Sequence, residues 1–143
     1  MNIAASQDVV HWEAAAAAVT AAVRWAEEAN LKVNVAVVDA GGNLAAFLRM
    51  PGGFLHSINI AIDKAYTAAG FGMPTGAWAD ALKSHSQAVR DGLPMRPRMV
   101  CFGGGLPMRH EGRLIGGIGV SGGSEEQDEA CARAGLTAIG LSV

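Results

Sequence analysis

A chain of 143 residues can enclose one core but is short for two independent domains, which commonly need about 100–150 residues each. Half of its residues are hydrophobic and 17% are charged, so it carries enough apolar material to offset the entropy of ordering and is not a disordered segment. A net charge of -2 removes the long-range attraction that nucleic acid or an anionic membrane surface requires, and neither is expected as a partner.

In chain order, residues 7–29 place Trp12, Ala16, Val19, Val23 and Ala26 on one helical face, with Ser6 as N-cap, Asp8 near the positive dipole end and Asn30 as the stop. Asp8, His11 and Glu13 also interrupt any secretory-signal run, and no stretch of about 18 apolar residues is free of charge, so the expected location is the cytoplasm. The β-branched stretch 33–39 and residues 44–48 read as a hairpin across Ala40-Gly-Gly-Asn43, whose glycines supply the positive φ of a tight reversal. After Met50-Pro-Gly-Gly53, residues 57–69 read as a helix with Ile58, Ile62, Ala65 and Ala69 down one stripe and Lys64 and Thr67 on another face.

A short helix is predicted at 76–84, and 86–98 reads as a loop because Asp91-Gly-Leu-Pro94 and Pro97 leave no sustained period. A strand at 99–102 runs into Gly103-Gly-Gly105, and residues 108–110 and 113–120 form a second hairpin about Glu111-Gly112. Glycines 116, 117 and 119 in its last strand admit another backbone closely. Ser124 and Gln127 form a capping box for a final helix running to about Ala138. The order predicts an α+β fold, a five-stranded antiparallel sheet flanked by helices. Cys101 and Cys131, without C-x-x-C spacing, read as reduced, buried thiols.

Several groups carry possible chemistry, each with a plainer alternative. Lys64 and Thr67 would meet a ligand lying across their helix face, or else Lys64 extends to solvent and Thr67 bonds a backbone carbonyl. Gly103, Gly104 and Gly105, with Gly122 and Gly123, leave room for a flat ligand or are simply tight turns. Arg96, Arg98, Arg109 and Arg113 suit carboxylates, or they form salt bridges with the acidic run Glu125, Glu126, Asp128 and Glu129. There is no Ser-His-Asp elbow, P-loop, Rossmann fingerprint or metal-ligand cluster at diagnostic spacing, which sets aside hydrolase, kinase and dehydrogenase chemistry.

The segments VAVVDAGGNLAAF, SINIAIDKAYTAAGFGMPT, FGGGLPMRHEGRLIGGIGVSGG and EEQDEACARAG resemble the GlcG/HbpS-like family of small heme-associated domains, and together they span most of the chain from Val35 to Gly135. The resemblance implies a profilin- or PAS-like sheet of about five strands, assembly as a homodimer up to an octamer, and heme as the cofactor. Heme would draw on Lys64, Thr67, Gly103, Gly104, Gly105 and Arg109. An axial donor would come from His11, His56, His85, His110, Met73, Met95 or Met108, with His56 the first choice because it directly precedes the lysine helix. A second implied reading is a catabolic enzyme for a small carboxylate, with Lys64 as base or Schiff-base amine alongside Asp39 and Glu126. A third is an oligomeric accessory protein of a catabolic pathway. The first two readings require the lysine helix and the triple glycine to border one cavity.

Overall fold

The computed structural model describes residues 1–143. Helix α1 (Trp12–Glu28) begins later than its apolar pattern predicts, with His11 rather than Ser6 as N-cap and the His11 Nδ1 accepting from the Glu13 amide at 3.3 Å. The preceding segment stays extended because the Val10 amide donates to Ile115 O at 2.9 Å and the Val10 side chain enters the core. Trp12, the first member of the expected stripe, is 66% exposed; Ala15, Ala18, Val19, Ala22 and Ala26 make the buried face. In an alanine-rich helix every face is mildly apolar, so periodicity alone does not select the one that packs.

Strands β1 (Asn34–Asp39), β2 (Leu44–Arg49), β3 (Gly105–His110) and β4 (Arg113–Ser121) pair antiparallel in the order β2-β1-β4-β3. The sheet therefore has four strands, not five. Residues 99–102 do not join it, since the Val100 amide donates to Thr67 Oγ1 at 3.1 Å and the Met99 amide to Arg96 O at 3.2 Å. Both hairpins lie where the sequence places them.

Side chains alternate across β1 and β4, so the sheet has two covered faces. Val33, Val35, Val37, Leu106, Ile118 and Val120 meet α1 and α5 (Glu125–Ala138), while Ala36 and Val38 meet Ala61, Ala65 and Ala69 of α2 (His56–Phe71) on the other face. Glycines 117 and 119 make the second contact possible: a Cβ on Gly119 would sit 2.5 Å from the Ala65 nitrogen, and one on Gly117 would sit 2.9 Å from the Ala69 nitrogen. The close approach expected of these glycines is made by the backbone of α2, so no flat ligand can lie between that helix and the sheet.

The connection from α2 to β3 contains the short helix α3 (Trp78–Ala81), flanked by 3-10 turns, and α4 (Gln87–Gly92), capped by Ser86, whose hydroxyl accepts from the Val89 amide. Residues 86–98 are thus helical in part rather than a loop. No residue of α4 is buried, so no apolar period marks it in the sequence. The Ser124–Gln127 capping box of α5 is present as predicted. No helix is long and apolar enough to cross a membrane.

Candidate functional site

Lys64 lies midway along α2 with its side chain 1% exposed. Its Nζ donates to Val120 O at 2.8 Å and to Asp128 Oδ2 at 3.0 Å. Asp128, in the first turn of α5, accepts the Gly123 amide on its other oxygen at 2.8 Å. One ion pair therefore ties α2, the end of β4 and the start of α5. The Phe102 ring lies 5.1 Å from the ammonium, within cation–π range. Desolvation lowers the Lys64 pKa below 10.5 and outweighs the opposing pull of Asp128 and Glu125.

The triple glycine borders this lysine, as the site readings required. Gly104 has φ 125°, and a Cβ there would lie 2.6 Å from Lys64 Nζ and from Val120 O. Gly105 passes so near α2 that its Cβ would lie 2.6 Å from Lys64 O, and its amide donates to Thr75 Oγ1 at 2.9 Å. The Gly103 amide donates to Glu125 Oε1 at 2.7 Å. A cleft of about 160 Å³ opens beside the ion pair, walled by Phe54 and Ser57 on one side and by Phe102, Ser121 and Glu125 on the other.

The remaining predicted residues disperse. Thr67 is buried, donates to Arg98 O at 2.8 Å and accepts from the Val100 amide at 3.1 Å, so it anchors the segment before β3. Arg109 donates to Gly72 O at 3.0 Å at the far end of α2, about 12 Å along the axis from Lys64. Asp39 Oδ1 accepts from the Gly41 and Asn43 amides at 2.9 Å and so shapes the first hairpin turn. Asp39 closes β1 at the end opposite Asn34, about 16 Å away, so Lys64, Asp39 and Glu126 do not form one catalytic group. Glu126 is exposed on a larger, neighbouring groove of about 960 Å³ with Trp25, Glu129 and Arg133, which shares Glu125 with the cleft beside Lys64. His56 is exposed as the first residue of α2, beside the exposed Phe54 and Leu55, and does not line the cleft.

Two features escaped the sequence. Asp128 was visible only as one of an acidic run, and nothing short of three-dimensional contact marks it as the partner of Lys64. A second groove, about 540 Å³, lies between the segment leading into α1 and the C-terminal residues, with His11 and His110 set among Val9, Val10, Ile115 and Leu141. Those imidazoles are 99 residues apart in the chain, and only the pairing of Val10 with Ile115 brings them to one place.

The family described as "Haem degrading protein HbpS-like" matches residues 10–137. The uncharacterized 15.0 kDa protein in the dhaT-dhaS intergenic region of Citrobacter freundii is 40% identical over 109 residues, covering 76% of this chain and 77% of that protein. The crystal structure of a double mutant of Streptomyces reticuli HbpS superposes with a TM-score of 0.86 at 35% identity, covering 98% of this chain and 97% of that one. The crystal structure of a PduOC:heme complex superposes with a TM-score of 0.85 at 33% identity, covering 94% and 97%.

Proposed function

The chain belongs to the HbpS-like family, and from that premise we propose that it binds heme, to store, traffic or sense it, as a homo-oligomer. The support from relatives is the heme named in the PduOC complex, together with the family's description. The cleft beside Lys64 does not fit a tetrapyrrole: about 160 Å³ is below the roughly 300–1,000 Å³ of ordinary ligand pockets, and no imidazole, thioether or thiolate lines it.

The observation that carries the proposal is the second groove. At about 540 Å³ it is of the right size, its walls are largely apolar, and it holds two imidazoles. His11 uses Nδ1 to cap α1 and keeps Nε2 for a metal, while His110 is exposed at the end of β3. These residues would hold the macrocycle and supply axial donors; heme itself supplies an iron centre whose potential and reactivity follow its ligands. His56, beside exposed Phe54 and Leu55, is the alternative donor but lines none of the three clefts described above.

A hemin titration followed by absorbance tests this. A saturable Soret band that weakens in His110→Ala and in His11→Asn, which retains a capping side chain, and persists in His56→Ala supports the groove. Loss only in His56→Ala moves the heme to the start of α2, and weak binding without saturation overturns the heme reading.

A further inference from the structure

We propose that the cleft beside Lys64 is a binding site for a small neutral molecule carrying hydroxyl groups, a short polyol. Its walls hold charges of both signs within hydrogen-bonding distance: Lys64 is paired with Asp128 at 3.0 Å, and Glu125 accepts from the Gly103 amide at 2.7 Å. An anion entering the cleft meets Asp128 and Glu125, and a cation meets the Lys64 ammonium. A neutral ligand with both donors and acceptors escapes either repulsion.

The groups left to bind it are hydroxyls. Ser57, in the first turn of α2, and Ser121, the last residue of β4, line the cleft from different elements, and each is only 5% exposed. Neither hydroxyl takes part in the hydrogen bonds that hold Lys64, Asp128 and Glu125. No hydrogen bond of the fold occupies either hydroxyl, and each can both donate and accept, so both are open to a ligand that displaces water from the cleft. Asn34, the register partner of Ser121, leaves its Oδ1 buried without a hydrogen bond at the same end of the sheet. Exposed faces of Phe54 and Phe102 flank the mouth and offer apolar cover for a ligand's methylene groups. A volume of about 160 Å³ equals that of roughly five water molecules, which suits a ligand of about six non-hydrogen atoms.

This site shares no residue with the His11/His110 groove, so it stands or falls independently of heme. The test is amide chemical-shift mapping of the isotopically labelled full chain, titrated separately with glycerol, acetate and methylammonium at fixed ionic strength. Glycerol is expected to move the amides of Ser57, Ser121 and Gly122 saturably in the millimolar range. Ser57→Ala and Ser121→Ala should each weaken that binding about three- to tenfold, the loss of one hydrogen bond. Each variant's spectrum and melting temperature should stay at wild-type values, because neither hydroxyl supports the ion-pair network. Saturation by acetate or methylammonium in place of glycerol overturns the proposal. So do glycerol shifts that rise linearly and scatter over the surface, or binding that survives both substitutions.

Discussion

Replacing Asp128 by Asn removes a charge while keeping an acceptor for the Gly123 amide, and so isolates the ion pair with Lys64. Breaking one side of a buried pair typically costs about 3–5 kcal/mol, because the remaining charge stays desolvated. Lys64 can also escape by losing its proton; from 10.5 to pH 7 that costs at most about 4.8 kcal/mol at about 1.36 kcal/mol per pH unit, so the two bounds agree. With an unfolding entropy of about 2.1 cal/mol/K per residue, each kcal/mol corresponds to about 3 °C for a chain of this length, which predicts a fall in Tm of about 10–16 °C. Urea unfolding and thermal melts at pH 7 measure it. The double variant Lys64→Met/Asp128→Leu should recover most of the loss, since an apolar pair of similar size avoids the desolvation. A loss below about 1 kcal/mol in Asp128→Asn, or a double variant as unstable as the sum of its parts, refutes the reasoning. The pH dependence has a defined sign. Burial lowers the Lys64 pKa in the folded state, so between that value and 10.5 the unfolded chain holds the proton that the folded chain has released. The cost of burying the ammonium is present in full below the folded-state pKa and is relieved as pH rises toward 10.5. Wild-type stability relative to Lys64→Met should therefore climb in that alkaline window, and in Asp128→Asn the climb should begin at lower pH.

Two further predictions concern the core. Gly119→Ala should destabilise by about 1–3 kcal/mol or prevent folding, because its Cβ would meet the backbone of α2, whereas Gly70→Ala, with no atom within 4 Å, should stabilise by about 0.5–1 kcal/mol; chemical denaturation of both variants checks the contrast. Desolvation and the Asp128 charge push the Cys131 thiol up to about 12, so a disulfide-exchange reagent at pH 8 should label Cys101, also raised by burial but partly exposed, well before Cys131, which should react only on unfolding. Equal labelling of the two in the native state would contradict this.

What the sequence makes legible is whatever depends on neighbours along the chain. The two hairpins, the capping box of α5 and the glycines under α2 each follow from a local rule, and each is where the residues put it. The errors fall where a tertiary contact overrides the local pattern. Val10 pairs with Ile115 and delays α1, Val100 bonds to Thr67 and keeps residues 99–102 out of the sheet, and α4 carries no buried face that a period could reveal. Of the candidate site, the meeting of Lys64 with the triple glycine was legible, but Arg109, Asp39 and Glu126 share charge with it and not place.

Side chains whose polar atoms are all engaged by the fold have little left for a ligand, and this separates residues that composition treats alike. Thr67 has its hydroxyl doubly bonded, and Gly104 is glycine because a Cβ would strike Lys64 Nζ and Val120 O, so both are explained without any bound molecule. Lys64 is nearly so, with two of its ammonium hydrogens directed to Val120 O and Asp128 and an aromatic face nearby. Subtracting these contacts leaves the hydroxyls of Ser57 and Ser121 in one cavity and the imidazoles of His11 and His110 in another. The buried Lys64–Asp128 pair braces α2, β4 and α5 beside the smaller cavity, and its strength should be read in folding before it is read in binding.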